Sequence, residues 1–393
     1  MRFYFNDAAL LCALGHQRSE ILGALQRGDR SGLLASDEFT PGRPLYLGRV
    51  GAELPELPDA WAAYRCRNNR LLLAAARQLE NTLFEMTARY GADRIGVVLG
   101  TSTSGVRNSE LALQALAETG AIPAGFHYKQ QQMGAGADFL AGYLGLGGPR
   151  YTVSTACSSS GKAILSARRL LELNWCDAVL VGGADSLCGL TVNGFAALES
   201  VSKGLCRPFG AGRDGINLGE AAALFVISRE PGPVALLGAA ATSDAHHFSA
   251  PDPAGIAVAA AMRQAQEQAG LAPAQVDYLN LHGTATPLND AMESRAVHRV
   301  FGERVPVSSS KGLTGHTLGA AAALELGFCW LLLTDANPAG ALIPNVNDAD
   351  ADPALPELNW VRPGQTLGRP VAVCQSNSFA FGGSNVSIVV ARA

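Results

Sequence analysis

The chain has 393 residues, 48% of them hydrophobic and 16% charged, with 44 glycines and a formal net charge of −4. That composition describes a tightly turned globular protein with room for one large domain or two smaller ones, and it excludes a disordered or coiled-coil chain. The mild negative charge speaks against a dedicated nucleic-acid binder.

In chain order, Asp7 stands just ahead of a short apolar run, AALLCALG, with no basic segment or cleavage pattern, so no secretory leader is expected. Short β-branched runs then predict strands: RIGVVLG (94–100), YTVST (151–155), DAVLVGGA (177–184), AALFVISRE (222–230), VDYLNLHG (276–283), VPVSSS (305–310), PVAVCQSNSF (370–379) and NVSIVVA (385–391). Between them lie longer stretches, such as the alanine-rich 256–269 and the alanine- and leucine-rich 317–334, which predict helices. The fold class is therefore α/β with largely buried sheets. The longest apolar run, LGAAAALELGFCWLLL (318–333), is too short for a membrane span and carries Glu325, so it reads as a buried helix. The eight cysteines are scattered without CxxC spacing, which predicts neither a zinc site nor a disulfide framework and fits a reducing cytoplasm.

The pieces also repeat. DRIGVVLGTSTS (93–104) is echoed by DYLNLHGTATP (277–287), and RYTVSTACSSSGKAILSA is echoed by RVPVSSSKGLTGHTLGAAAA. Two similar halves, 1–230 and 231–393, would meet in the Pro- and Gly-containing segment REPGPVA (229–235).

Within STACSSSGKAILSARRLLE (154–172), Ala163, Ile164, Ala167, Leu170 and Leu171 fall at helical spacing, with Lys162, Arg168 and Arg169 on the other face. Cys157 thus sits at the start of a helix, where unpaired N–H groups are expected to lower its pKa and sharpen it as a nucleophile. A cysteine taken alone is more often structural, and the other seven are read that way. Cys157 differs in having partners: two histidines in glycine-lined turns, His282 in LHGTATP and His316 in SSSKGLTGHTLGAA. Glu325 is a lone carboxylate in an apolar helix and needs a cation; Lys311 is the natural candidate.

These residues form a recognisable pattern. TACSSS around Cys157, HGTATPLND around His282, SSKGLTGHTLGAA around His316 and NSFAFGGSN (377–385) resemble the elongating β-ketoacyl-ACP synthases, decarboxylative condensing enzymes of the thiolase superfamily. RPFGAGRDGINLGEAA (207–222) and SDAHHFSAPDP (243–253) extend the likeness over most of the chain beyond the first 90 residues. The phrases NLHGTATPLNDAMES and RNNRLLLAA look most like the aryl-polyene-type ketosynthases. The resemblance implies a thiolase-like duplicated αβαβα layered fold, a homodimer or a heterodimer with a ketosynthase-like subunit, an acyl carrier protein as partner, and no cofactor or metal. It also implies roles. Cys157 would take the acyl chain as a thioester, and His282 and His316 would stabilise the enolate formed as malonyl-ACP loses CO2. The N–H groups of Cys157 and Phe381 would form the oxyanion hole. Lys311 with Glu325 would set the electrostatics, supported by Asp290. Thr284 and Thr286 would bind the pantetheine arm, and Phe195, Phe379 and Phe381 would border the substrate path. For docking an acidic carrier protein, YRCRNNR offers Arg65, Arg67 and Arg70.

Three departures stand out: Ala380 where the family has glycine beside Phe381, GEAAA for GEGAG, and RPFG for RPFD. An alanine resists positive φ, so Ala380 is expected to restrain the gate. The other readings are a thiolase-type acyltransferase, whose second catalytic cysteine Cys374 does not match, and a ketosynthase subunit working with a non-catalytic chain-length-factor partner. GTSTSG (100–105) is not the G-x-S-x-G of serine hydrolases, and GLGGPR (145–150) lacks the last glycine of a dinucleotide loop.

Overall fold

Two of the predicted helices lie at the centre of the molecule. In the computed structural model, which describes residues 2–348 and 350–393, the helix Ala321–Leu333 buries every one of its side chains. The helix Ser159–Glu172 buries Ala163, Ile164, Ala167, Leu170 and Leu171, the face its spacing predicts. A helix apolar on all sides has no solvent face to keep, so it belongs between two other layers. The two helices pack on each other. Gly161 permits this approach, since a Cβ there would lie 2.9 Å from Val386 and 3.1 Å from Ala322.

Among the described residues, eleven strands form one continuous sheet that divides into two matching sets. The first runs Arg150–Val153, Ile95–Gly100, Ala178–Asp185, Ala221–Ser228, Phe3–Leu11; the second runs Pro306–Ser308, Tyr278–Asn280, Val373–Ala380, Ser384–Arg392, Val234–Ser243, with Asn359–Trp360 added outside. In both sets the first two pairings are parallel and the next two antiparallel. The sets join where Phe3–Phe5 pairs with Val234–Leu236. The sequence echoes map onto equivalent strands, so the fold is the duplicated, thiolase-like α/β arrangement. Outer helices complete the layers: Arg67–Arg77 and Ala135–Leu144 cover the first set, and Ile256–Ala269, with Pro287–Phe301 beside it, covers the second.

The strand Phe3–Leu11 went unread in the sequence. A register shift between Phe5 and Asp7 breaks its alternation, and Asp7 is held by Arg18 and Thr82. A second small sheet, Leu33–Ser36, Leu45–Gly48 and Leu218–Gly219, lies beside the His316 loop: His316 N–H donates to the Asn217 carbonyl at 2.6 Å, and Gly219 N–H to the His316 carbonyl at 2.9 Å.

Candidate active site

Cys157 stands between the strand Arg150–Val153 and the helix Ser159–Glu172, on a turn that requires an unusual backbone. Ala156 has φ +50°, a conformation that costs a residue with a Cβ and persists only where its surroundings hold it. The serines behind the cysteine supply part of that hold. The Ser159 hydroxyl donates to the Ala156 carbonyl at 2.6 Å and accepts from Thr155 N–H at 2.9 Å. Ser158 donates to the Thr155 carbonyl, and Ser160 accepts from Ala323 N–H at the start of the other central helix.

Both histidines come from the second half and meet the thiol in one cavity of about 180 Å³. His316 Nε2 lies 3.0 Å from Cys157 Sγ, the two imidazoles meet edge to face at 5.3 Å, and one ligand-type atom from each of the three residues falls within 4.8 Å of the others. The tautomers follow from the hydrogen bonds. Leu318 N–H donates to His316 Nδ1 at 3.1 Å, and the Lys311 ammonium donates to His282 Nδ1 at 3.2 Å. With both Nδ1 atoms accepting, each neutral ring carries its proton on Nε2. Burial first, and the Lys311 charge second, hold both histidines well below the ordinary range, so both are neutral. The cavity therefore contains two neutral N–H donors beside a thiol. Metal-binding imidazoles instead turn a lone pair to the ion and donate from the other nitrogen, so this set does not fit a metal.

Lys311 has no unused donor: besides His282 Nδ1 it bonds the His282 carbonyl and Glu325 Oε1, each at 2.5 Å. Asn280 donates to Glu325 Oε2 at 3.3 Å, and burial pushes the Glu325 carboxyl up to about 7. The ion pair anticipated from sequence is thus present, wholly buried. The thiol behaves otherwise than expected. Burial pushes Cys157 up to about 11, against the pull of the Lys311 charge and the N–H groups of Phe381 and Cys157 itself. Desolvation outweighs the helix start, and the resting sulfur is a thiol.

The remaining assignments divide. Thr284, Thr286, Phe195, Phe379 and Phe381 all line the cavity; the two threonine hydroxyls lie 2.9 Å apart, and Phe195 and Phe381 stack at 5.6 Å. Asp290 contacts neither Lys311 nor Glu325. It accepts from Ala285 N–H and Phe209 N–H instead, holding Ala285 at φ +64° between the threonines. The carboxylate beneath His282 is Glu293, which takes the N–H groups of His282 and Gly283 at 2.7 Å each. It lies one turn beyond Asp290 on the same helix, the only sequence signal it carries.

Ala380 ends the strand Val373–Ala380, and the positive φ values of the turn fall on Gly382 (83°) and Gly383 (76°). Ala380 itself needs no positive φ here, because the turn bends two residues later. The three arginines do not form a free basic patch. Arg65 pairs with Asp59, Arg67 with the buried Glu220, and Arg70 with Glu56 and the carbonyls of Leu54 and Pro55. Those side chains clamp the 50–59 segment, and none lines the cavity.

Comparison with known proteins agrees with this geometry. The model of the beta-ketoacyl synthase N-terminal domain matches residues 66–231, and that of the C-terminal domain matches residues 234–345. Nodulation protein E of Rhizobium meliloti is 33% identical over 355 residues, 86% of each chain. The chain belongs to the beta-ketoacyl synthase family. This beta-ketoacyl synthase is also 33% identical to 3-oxoacyl-[acyl-carrier-protein] synthase 2 of Staphylococcus aureus, over 76% of its own length and 77% of the relative's. Among solved structures it resembles the ketosynthase ApeO of Xenorhabdus doucetiae, determined in complex with its chain length factor ApeC: TM-score 0.94 and 44% identity, over 100% of this chain and 98% of that one. Like its family, this beta-ketoacyl synthase is an acyltransferase. Among the described residues no helix is long and apolar enough to cross a membrane.

Proposed function

We propose that this beta-ketoacyl synthase elongates an acyl chain by decarboxylative Claisen condensation with malonyl-ACP, in a pathway of the aryl-polyene or fatty-acid type. One observation carries the reading: two neutral Nε2–H donors converge on the cavity beside a single thiol. In the first half-reaction the Cys157 sulfur attacks an acyl thioester, its proton leaves on the departing thiol of the carrier arm, and an acyl-Cys157 thioester remains. In the second, malonyl thioester loses CO2 and the enolate oxygen is held by the N–H groups of His282 and His316. The carbanion attacks the acyl-Cys157 carbonyl, whose oxyanion rests on the N–H groups of Cys157 and Phe381. That attack makes the new C–C bond; collapse of the oxyanion then breaks the C–S bond and frees the sulfur, which regains a proton from water.

Burial first, and the Lys311 charge second, keep both histidines uncharged, so each stabilises the enolate as a donor and does not quench it as an acid. Thr284 and Thr286, on either side of the Asp290-bound Ala285, receive the pantetheine arm, while Phe195, Phe379 and Phe381 border its path. In this reading the halves are 1–230, carrying the nucleophile, and 231–393, carrying both histidines. A thiolase reading is weaker, because Cys374 is buried against Cys329 and away from the cavity.

The subunit partner we favour is a second ketosynthase-like chain. The strand Arg150–Val153 has an open edge, and Leu111, Leu113, Ile122 and Leu190 are exposed on this half. The ApeO relative, determined in complex with its chain length factor, favours a non-identical partner. Eight free, buried cysteines support a cytoplasmic location.

The test separates the half-reactions. Alanine at His282 or His316 is expected to slow CO2 release from malonyl-ACP by roughly 10² to 10³ and to spare acyl transfer to Cys157, read by intact-protein mass. Unchanged CO2 release in both variants would exclude this function.

A further inference from the structure

Asp185 ends the strand Ala178–Asp185 with its side chain fully buried. A buried carboxylate without a cation is costly unless hydrogen bonds saturate it, and this one is saturated by backbone and hydroxyl donors. Oδ1 accepts Ser102 N–H at 2.8 Å, Thr103 N–H and the Thr103 hydroxyl at 2.9 Å each, and the Thr101 hydroxyl; Oδ2 accepts Gly319 N–H at 2.6 Å.

These donors belong to the two elements that must meet for catalysis. On one side the Ser102 hydroxyl donates to the Ala156 carbonyl at 3.2 Å, the strained residue that presents Cys157. On the other side, Gly319 follows Leu318, itself at φ +52°, whose N–H fixes the His316 tautomer. Consecutive N–H groups thus go to His316 Nδ1 and to Asp185. The approach is close: a Cβ on Gly319 would lie 2.7 Å from Ser102 N and 2.8 Å from Asp185 Oδ2.

We infer that Asp185 is a positioning residue that bridges the halves, holding the Cys157 turn through Ser102 and the His316 tautomer through the Leu318–Gly319 peptide. It touches no substrate: it does not line the cavity. The inference rests on the condensing role proposed above, because that role is what makes the alignment of Cys157 with His316 matter. A carboxylate suits the position because it accepts from both sides at once and offers no proton to either. An amide in its place accepts at one atom only and turns an N–H₂ toward one of the two loops.

Asp185→Asn is expected to lower kcat per folded molecule by roughly 10- to 100-fold, as for a small misplacement of reacting groups, with KM within about twofold of wild type. Both half-reactions should slow. In nitrogen-15 spectra of histidine-labelled protein, His316 should lose its uniform Nε2–H tautomer, a change that loss of stability alone does not produce. Ser102→Ala removes only the link to Ala156 and is expected to slow acyl-Cys157 formation while CO2 release stays at the wild-type rate. An unchanged kcat per folded molecule in Asp185→Asn, or an unchanged His316 tautomer, overturns the assignment. Should that variant fail to fold, Ser102→Ala decides: equal loss of both half-reactions, or loss of neither, overturns it. Wild-type protein that forms no acyl-Cys157 and releases no CO2 would refute the condensing role instead, and the tautomer comparison would still read the effect of Asp185.

Discussion

The thiol at position 157 is governed by two opposed effects, of which burial is the larger. Burial raises its pKa to about 11, and the Lys311 charge with two backbone N–H groups limits that rise. Alkylation of Cys157 by iodoacetamide should therefore speed up about tenfold per pH unit from pH 7 to 10, since only the thiolate reacts. Lys311→Met removes the lowering charge, so at any pH in that window its rate should fall below wild type. A rate that flattens near pH 8 in the wild type would contradict the burial-dominated thiol. Such a thiol is best activated by substrate, whose departing sulfur takes the proton.

The turn after Val373–Ala380 makes a sharper residue-scale case. Gly383 has φ +76°, and a Cβ on it would lie 3.0 Å from that of Asp244. Gly383→Ala is therefore expected to slow acyl-Cys157 formation, by about tenfold if the alanine costs its usual 1 to 2 kcal/mol in this region. Ala380→Gly should change the substrate profile little, because Ala380 needs no positive φ. A broader chain-length profile in Ala380→Gly would show instead that the hinge lies there.

At the scale of elements, the central helices show what sequence discloses and what it hides. Cys157, His282 and His316 were legible because glycine and small-residue turns around reactive groups leave a local signature, and Lys311–Glu325 because a lone charge in an apolar helix demands a partner. Asp185 and Glu220 were not, because each binds loop N–H groups or a cation supplied by remote chain, and Glu293 was not, because the backbone N–H groups it binds, those of His282 and Gly283, carry no signature in sequence. Remoteness also hides the partner of Arg67, Glu220, 153 positions away, and with it the part this arginine plays in fixing the 50–59 segment. Composition located Ile256–Ala269 to the residue, whereas Phe3–Leu11 was lost to its bulge. Packing between the central helices can be tested directly. Gly161→Val inserts atoms where Val386 and Ala322 already stand at contact distance, and overpacking of this kind typically costs about 1 to 3 kcal/mol. A fall in Tm with kcat reduced in the remaining folded protein is expected; an unchanged Tm would mean that the helices separate freely.

For the molecule as a whole, the 50–59 segment is tied to the body by buried charge. Arg67 reaches Glu220 at 2.5 and 2.8 Å and also the Val50 carbonyl. Arg67→Ala strands the Glu220 carboxylate in the core and should lower stability by about 3 to 5 kcal/mol, measured by denaturant unfolding. Its KM for acyl-ACP and for a small pantetheine thioester should move together. A selective rise for acyl-ACP would return Arg67 to a docking role.

The order of strands has a consequence for how the enzyme comes to life. The hairpin Val373–Ala380 and Ser384–Arg392 is not at the rim of the sheet but in its interior, between Tyr278–Asn280 and Val234–Ser243. During synthesis those neighbours emerge long before it and wait with their hydrogen-bonding edges unmatched. The same hairpin carries Phe381, whose N–H faces the sulfur. A nascent chain that already contains Cys157 and both histidines thus has neither a finished sheet nor a complete cradle for the oxyanion. Ribosome-bound chains arrested before residue 373 should leave Cys157 unacylated by an acyl donor, and release of the full chain should switch that reactivity on in a single step.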